Sequence, residues 1–227
     1  MSKTFVLSVG GSLIVTSEGI NLRFLKQFRA FILRYVKRGY KFYLVIGGGS
    51  TARTYIKAAL AATSVNNYDR DLVGIRATRL SAELLKVVFG RDAYSEVITD
   101  PTKLVKTKKS IILAGGYRPG WSTDYVAILM AASQKIKTVV NLSNIDYVYD
   151  HDPRKFPDAK KLTTTSWSKF CKIVGSKWQP GLNVPFDPVA SRAAASHKMK
   201  VVILNGEELK NLEKCLTGQR FVGTTIS

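Results

Sequence analysis

Five short apolar runs recur along the chain, and each stops at glycine or at a small polar turn. Phe5-Val6-Leu7-Ser8-Val9 ends at Gly10-Gly11, Phe42 to Ile46 at Gly47-Gly48-Gly49, and Ile111-Ile112-Leu113-Ala114 at Gly115-Gly116. Thr138-Val139-Val140-Asn141-Leu142 ends at Ser143-Asn144, and Lys200-Val201-Val202-Ile203-Leu204 at Asn205-Gly206. Runs that are apolar on both faces read as buried strands of a mostly parallel sheet. Amphipathic stretches fill the gaps. From Asn21 to Arg38, Leu25, Phe28, Ile32 and Tyr35 fall at helical spacing with Arg and Lys opposite them. Tyr68 to Gly90 reads as one long helix, with Leu72, Ile75, Leu84, Leu85 and Val88 toward the core and Arg70, Arg76, Arg79 and Lys86 toward water. Tyr125 to Ala132 and Glu207 to Cys215 are further helical stretches, whereas Asn144 to Leu162 has turn chemistry and no period. The expected fold is a three-layer α/β/α sandwich with a mostly parallel central sheet, in one domain over residues 1–227.

Composition supports a packed core. Hydrophobic residues make up 45% of the 227 and charged residues 22%, which excludes a disordered chain despite 35 Lys+Arg against 16 Asp+Glu and a net charge of +19. A field of that sign attracts polyanions, whether nucleic acid, anionic membrane or phosphorylated metabolites. The basic residues are scattered, Lys103, Lys106, Lys108 and Lys109 form the one dense cluster, and no recognition motif accompanies them, so no nucleic-acid partner is expected. Cys171 and Cys215 lack metal or redox spacing and read as reduced thiols of a cytoplasmic protein. Glycines interrupt the apolar opening and Ser17-Glu18 follows it, so neither a signal peptide nor a membrane span is expected.

The glycines carry the chemistry. Three of the five runs end in Gly pairs or triplets, at what would be the C-terminal ends of strands, where open α/β sheets bind their ligands. Glycine lets the backbone approach an anion, and a following helix adds its positive end. No G-x-x-x-x-G-K-[ST] and no G-x-G-x-x-G occurs, which argues against a P-loop and a dinucleotide site. After the third turn come Tyr117, Arg118, Pro119, Gly120, Trp121, Ser122, Thr123 and Asp124. Ser122 or Thr123 can cap the next helix and help hold a phosphate. Asp124 either complements the helix dipole or orients groups at an active centre, and Tyr117 and Trp121 either flank a base or fill a corner. Arg53, four residues after Gly49, would look back toward the same crevice. Asp71 lies where a helix dipole favours an acid in any case. The segment Asn144 to Pro153 offers tyrosine to stack on adenine and carboxylate to accept from ribose, and no protein-ligated metal is expected there.

Quoted in order, V-G-G-S-L at Val9 to Leu13, I-G-G-G-S-T-A-R-T-Y-I at Ile46 to Ile56, D-L-V-G-I-R-A-T-R at Asp71 to Arg79, A-G-G-Y-R-P-G-W-S-T-D at Ala114 to Asp124, S-N-I-D-Y-V-Y-D-H-D-P at Ser143 to Pro153, F-D-P-V-A at Phe186 to Ala190 and G-T-T-I at Gly223 to Ile226 resemble the amino-acid-kinase superfamily. Within it they are most similar to archaeal-type uridylate kinases. The resemblance implies a carbamate-kinase-like fold and transfer of the γ-phosphoryl of ATP to UMP in pyrimidine nucleotide biosynthesis. It also implies Mg²⁺ carried by the nucleotide, and a hexamer built from dimers. Residue by residue, it places ATP at Gly10, Gly11, Ser12, Gly49, Arg53, Ser143, Asn144, Tyr149 and Asp152. UMP falls to Gly48, Asp71 and the run Tyr117, Arg118, Pro119, Gly120, Trp121, Ser122 and Thr123. Arg53 and Asp124 are the expected catalytic residues. The chain departs from the pattern at Ser8, where many superfamily members have lysine, at Tyr147, where glycine is common, and at Arg118 and Trp121, where relatives often have histidine. A superfamily phosphotransferase with another small acceptor, and a basic nucleic-acid-binding protein on this fold, are the alternatives.

Overall fold

The computed structural model describes residues 3–175 and 184–227. The chain opens with β1 (Thr4–Val9), the single-turn helix α1 (Gly11–Ile14) and a small hairpin of β2 (Val15–Thr16) and β3 (Gly19–Ile20). Then follow α2 (Leu22–Lys37), β4 (Lys41–Ile46), α3 (Gly49–Ala62), α4 (Asn67–Phe89), β5 (Ala93–Ile98) and β6 (Ile111–Ala114). The second half holds α5 (Thr123–Ser133), β7 (Thr138–Ser143), β8 (Val148–Tyr149), β9 (Lys161–Leu162), β10 (Thr164–Thr165) and α6 (Trp167–Val174). It ends with α7 (Pro188–Ser196), β11 (Lys200–Asn205), α8 (Leu209–Leu216) and β12 (Thr224–Ile226).

Eight strands form one sheet in the order β10-β12-β11-β7-β1-β4-β6-β5. The five runs read from sequence are its parallel centre. Two features of the sheet carry no such signal. Edge strand β5 keeps only Ala93 fully buried and skips register between Ala93 and Val97, so its apolar residues never form a run. β12 runs antiparallel to β11 and parallel to β10, which forms the opposite edge. The period-free segment after residue 144 carries the β8–β9 pair.

Alternation along β1 divides the core. Phe5, Leu7 and Val9 face a layer made by α2, α4 and α8, while Val6 faces α5, α6 and α7. Asn21 starts α2 by accepting from the Phe24 amide at 3.0 Å, and Phe24, Leu25, Phe28, Phe31, Ile32 and Tyr35 then bury one stripe. Each such side chain contributes about 1.5–3 kcal/mol on burial. β1 leads to β4 on one side, whereas the crossover from β6 through α5 packs on β4 and β1 and delivers β7 to the other side of β1. The strand order therefore switches at β1, which opens a crevice above its C-terminal end. Among the described residues, no helix is long and apolar enough to cross a membrane.

Candidate active site

The central strands end level, with Val9 opposite both Ile46 and Leu142, so the turns after them meet. The Gly10 amide donates to the Leu142 carbonyl at 2.9 Å, and the Gly47 amide to that of Val9 at 3.0 Å. Gly11 lies against the backbone of Gly47 and Gly49 so closely that a Cβ there would overlap both. Gly49 itself has φ +59, a conformation that side chains other than glycine's resist. Its helix α3 is preceded by Gly48, which offers no side-chain cap, so the first-turn amides of α3 have no side-chain acceptor. Arg53 stands one turn further along, exposed, with no polar partner among the described residues. Ser12 is exposed on α1.

The third turn is held by α4. The Gly116 amide donates to Thr78 Oγ1 at 2.6 Å, and Arg79 donates through Nε to the Gly116 carbonyl at 3.0 Å and through Nη2 to that of Tyr117 at 3.3 Å. Sequence periodicity places Arg79 among the solvated residues of α4. In the structure it is half-buried and clamps this turn, with burial and then neighbouring Arg76 drawing its pKa down. Asp71 Oδ2 accepts from the Gly120 amide at 2.6 Å, which ties the first turns of α4 to the loop 117–123. Burial raises the Asp71 pKa, opposed by that amide and by Arg70. Tyr117, Trp121 and Tyr125 form a chain of ring contacts, and the Arg118 guanidinium lies 4.6 Å from the Tyr117 ring centre. Ser122 caps α5 by accepting from the Tyr125 amide at 3.2 Å, and Pro119 and Thr123 are half-buried beside this loop and cap.

Beneath the turns lies a carboxylate pair. Ser8 and Asn141 are neighbours across β1 and β7, and both donate to Asp124 Oδ1, at 3.0 and 2.8 Å. The Asp187 amide donates to Asp124 Oδ2 at 3.3 Å. Asp187, nearly fully buried, caps α7 by accepting from the Ala190 amide at 2.6 Å, and its Oδ2 is buried without a partner. Asp124 is half-buried with its carboxyl surrounded by protein, and burial, then Asp187, push its pKa up to about 6 against the pull of its three donors. Burial likewise raises Asp187. Ser8 therefore occupies the lysine position of the resemblance as a donor to Asp124. Sequence reasoning assigned no role to Asn141, Asp187 or Thr78. Only Asp187 advertises itself, as an Asp-Pro helix start.

On the β7 side, Ser143 ends the strand and its carbonyl accepts from Gly206, while Asn205 donates to Asp146 Oδ1 at 3.0 Å. Asn144 is exposed at the rim. Tyr149 pairs with Lys161 across the β8–β9 hairpin, and Asp152 accepts from Arg154 Nε and Nη2 at 3.0 Å each. The structure thus brings Gly10, Gly11, Gly48, Gly49 and Asp124 around one crevice and fastens Asp71 to the run Tyr117–Thr123. Tyr149 and Asp152 sit apart on the hairpin, without a bond to the glycine turns. Among the described residues, no three His, Cys, Asp or Glu side chains gather as a metal cage. The carboxylates beneath the crevice are Asp124 and Asp187, whose Oδ2 alone is unpartnered, and they fit a hard cation that arrives with most of its own ligands.

Known proteins bear on this geometry. The model of the amino acid kinase family matches residues 3–205. A protein of Methanospirillum hungatei JF-1 named uridylate kinase is 32% identical over 99% of this chain and 94% of its own length. One of Pyrococcus abyssi with the same name is 34% identical over 97% and 98%. The crystal structure of uridylate kinase from Archaeoglobus fulgidus superposes with a TM-score of 0.83 at 31% identity, covering 98% of this chain and 99% of that one. A UMP kinase structure from Bacillus anthracis, 19% identical, shares the fold with a TM-score of 0.79. With its sheet, its level glycine turns and this match over most of its length, the chain belongs to the amino acid kinase family.

Proposed function

We propose that this protein is a UMP kinase, transferring the γ-phosphoryl group of ATP to the phosphate of UMP to give UDP and ADP. The observation that carries this reading is the meeting of the first two glycine turns above one crevice, with the third held beside them through Thr78, in a chain that matches uridylate kinases along nearly its whole length. In this reading ATP lies over Gly10, Gly11, Ser12 and Gly49 toward Ser143, Asn144, Tyr149 and Asp152. UMP lies between Gly48, Asp71 and the loop 117–123.

An oxygen of the UMP phosphate attacks the γ-phosphorus in line as the bond to ADP breaks. That phosphate is already anionic at neutral pH, so no general base is demanded, and catalysis is positioning and charge stabilisation. The uncapped amides of α3 and the guanidinium of Arg53 face the charge that builds on the transferring group. Asp124 fixes Ser8 and Asn141, and so holds the ends of β1 and β7 in place beneath the reacting phosphates. Mg²⁺ bound to ATP would neutralise phosphate charge, with Asp124 as the carboxylate facing it from the crevice floor. By the same reading the enzyme works in the cytoplasm as a hexamer built from dimers.

A coupled assay offering UMP, CMP, aspartate and acetylglutamate with ATP and Mg²⁺ tests this. UMP is expected to turn over fastest. Turnover of another acceptor with no UDP above background would replace UMP with that acceptor.

A further inference from the structure

The opposite end of the sheet carries a feature that phosphoryl transfer does not use. Six neighbouring strands, β11, β7, β1, β4, β6 and β5, each begin at or within two residues of a cation: Lys200, Lys137, Lys3, Lys41, Lys109 and Arg91. These residues are far apart in sequence, and the parallel topology alone sets them side by side. With strands about 4.8 Å apart, the row is about 24 Å long. About 16 Å of strand separates it from the glycine turns.

Four of the ammonium groups are anchored by backbone carbonyls. Lys3 Nζ donates to the Arg38 carbonyl at 3.0 Å, Lys41 to Thr107 at 3.2 Å, Lys109 to Arg91 at 2.5 Å and Lys137 to His197 at 3.3 Å. Arg38 and His197 are the residues that end α2 and α7, whose negative ends favour cations there. Carbonyls orient an ammonium without neutralising it. Among the described residues, none of the six pairs with a carboxylate within 4 Å, and all but the half-buried Lys41 are exposed.

We propose that this row is a docking surface for the phosphate backbone of a DNA duplex, bound without reading its bases. A row of cations repeated at strand spacing, four of them anchored, presents regularly spaced positive charge to the regular phosphate ladder of a duplex. A single strand would call for free aromatic rings to stack its bases. The rings beside the row's cations are not free: Tyr40, next to Lys3, is packed against Phe5, Tyr35 and Phe42, and Tyr43, next to Lys41, is buried. An anionic bilayer would reward an apolar wedge, and none of the exposed large hydrophobic side chains lies within two residues of these six strand starts.

The test is fluorescence anisotropy of a labelled 24-base-pair DNA duplex with the full-length protein across a salt series. Binding should weaken linearly in log–log form. Replacing Lys3, Lys109, Lys137 and Lys200 together by glutamine should flatten the slope by about 0.9 per lysine. The four arginine substitutions at the same positions should keep it, and UMP phosphorylation by both variants should match the wild type. A second glutamine variant at Lys26, Lys57, Lys169 and Lys210 removes equal charge elsewhere and should leave the slope in place. No binding at 25 mM salt, equal loss in both glutamine variants, or displacement of the duplex by ATP would overturn the proposal. So would loss of binding to phosphatidylserine vesicles, but not to DNA, in the strand-start variant.

Discussion

At the residue scale, the site is built from groups whose partners are now visible. Gly49 and Gly11 are glycine because each lies in the other's way, and the sequence announces that by placing them after apolar runs. Arg53 was legible too, by its offset from Gly49, and the structure leaves it exposed without a partner among the described residues. Arg53→Ala should lower kcat on the order of 10²–10³-fold, as loss of a charge-stabilising group does. Asp71→Ala should instead raise KM for UMP roughly tenfold or more, because it releases the Gly120 amide from a charged hydrogen bond. Steady-state kinetics in both substrates separate these outcomes, and the opposite pattern would exchange the two sides. Asp124 was legible as a candidate, but its burial was not, since Ser8, Asn141 and Asp187 reach it from three other elements. The folded protein holds the Asp124 proton up to about pH 6, against an ordinary value of 3.8, so its ionisation costs stability as pH rises through that window. Asp124→Asn removes this cost. Its stability relative to wild type should therefore climb between pH 4 and 6 and level off above, by on the order of 1–3 kcal/mol. Urea melts at pH 4, 5 and 7 measure it, and a relative stability that falls with pH would exclude the effect.

Among elements, the five central strands and the helices α2, α4, α5 and α8 follow from periodicity, with ends displaced by a residue or two. The long helix is Asn67–Phe89 against an expectation of Tyr68 to Gly90, because Asn66 caps it and Gly90 takes φ +57 to stop it. What periodicity missed are elements stabilised by partners distant in sequence. β12 is too short to announce itself, and its role rests on Thr224. That fully buried hydroxyl accepts from the Val148 amide at 2.9 Å and donates to the Leu162 carbonyl, which stitches the β8–β9 hairpin to the sheet. Thr224→Val strands both groups and should cost about 1–3 kcal/mol. Thermal melts would report the loss, and faster proteolysis within 144–162 would locate it. Thr224→Ser should restore most of it, and a neutral valine variant would show that the hairpin is held by other means.

For the whole molecule, the charge of +19 is the property whose meaning changed most. Spread along the sequence it reads as a solvated surface, whereas the sheet gathers six of those cations into one row. Like charges repel in the compact state, and salt screens them. The melting temperature should therefore rise by a few degrees between 20 and 300 mM NaCl, at about 2–4 °C per kcal/mol for a chain of this size. A fall over that range would mean that attractive pairs outweigh the repulsion. The sequence by itself determined the sandwich, the strands that compose its centre and the glycine turns at their ends, because apolar periodicity and glycine's missing Cβ act locally. Tertiary structure alone decided that Arg79 clamps a turn, that Asp124 and Asp187 share a floor, and that the cations line up, because each depends on which strands become neighbours. Strand order is fixed by how the crossovers pack on the sheet, and no local stretch of sequence carries that.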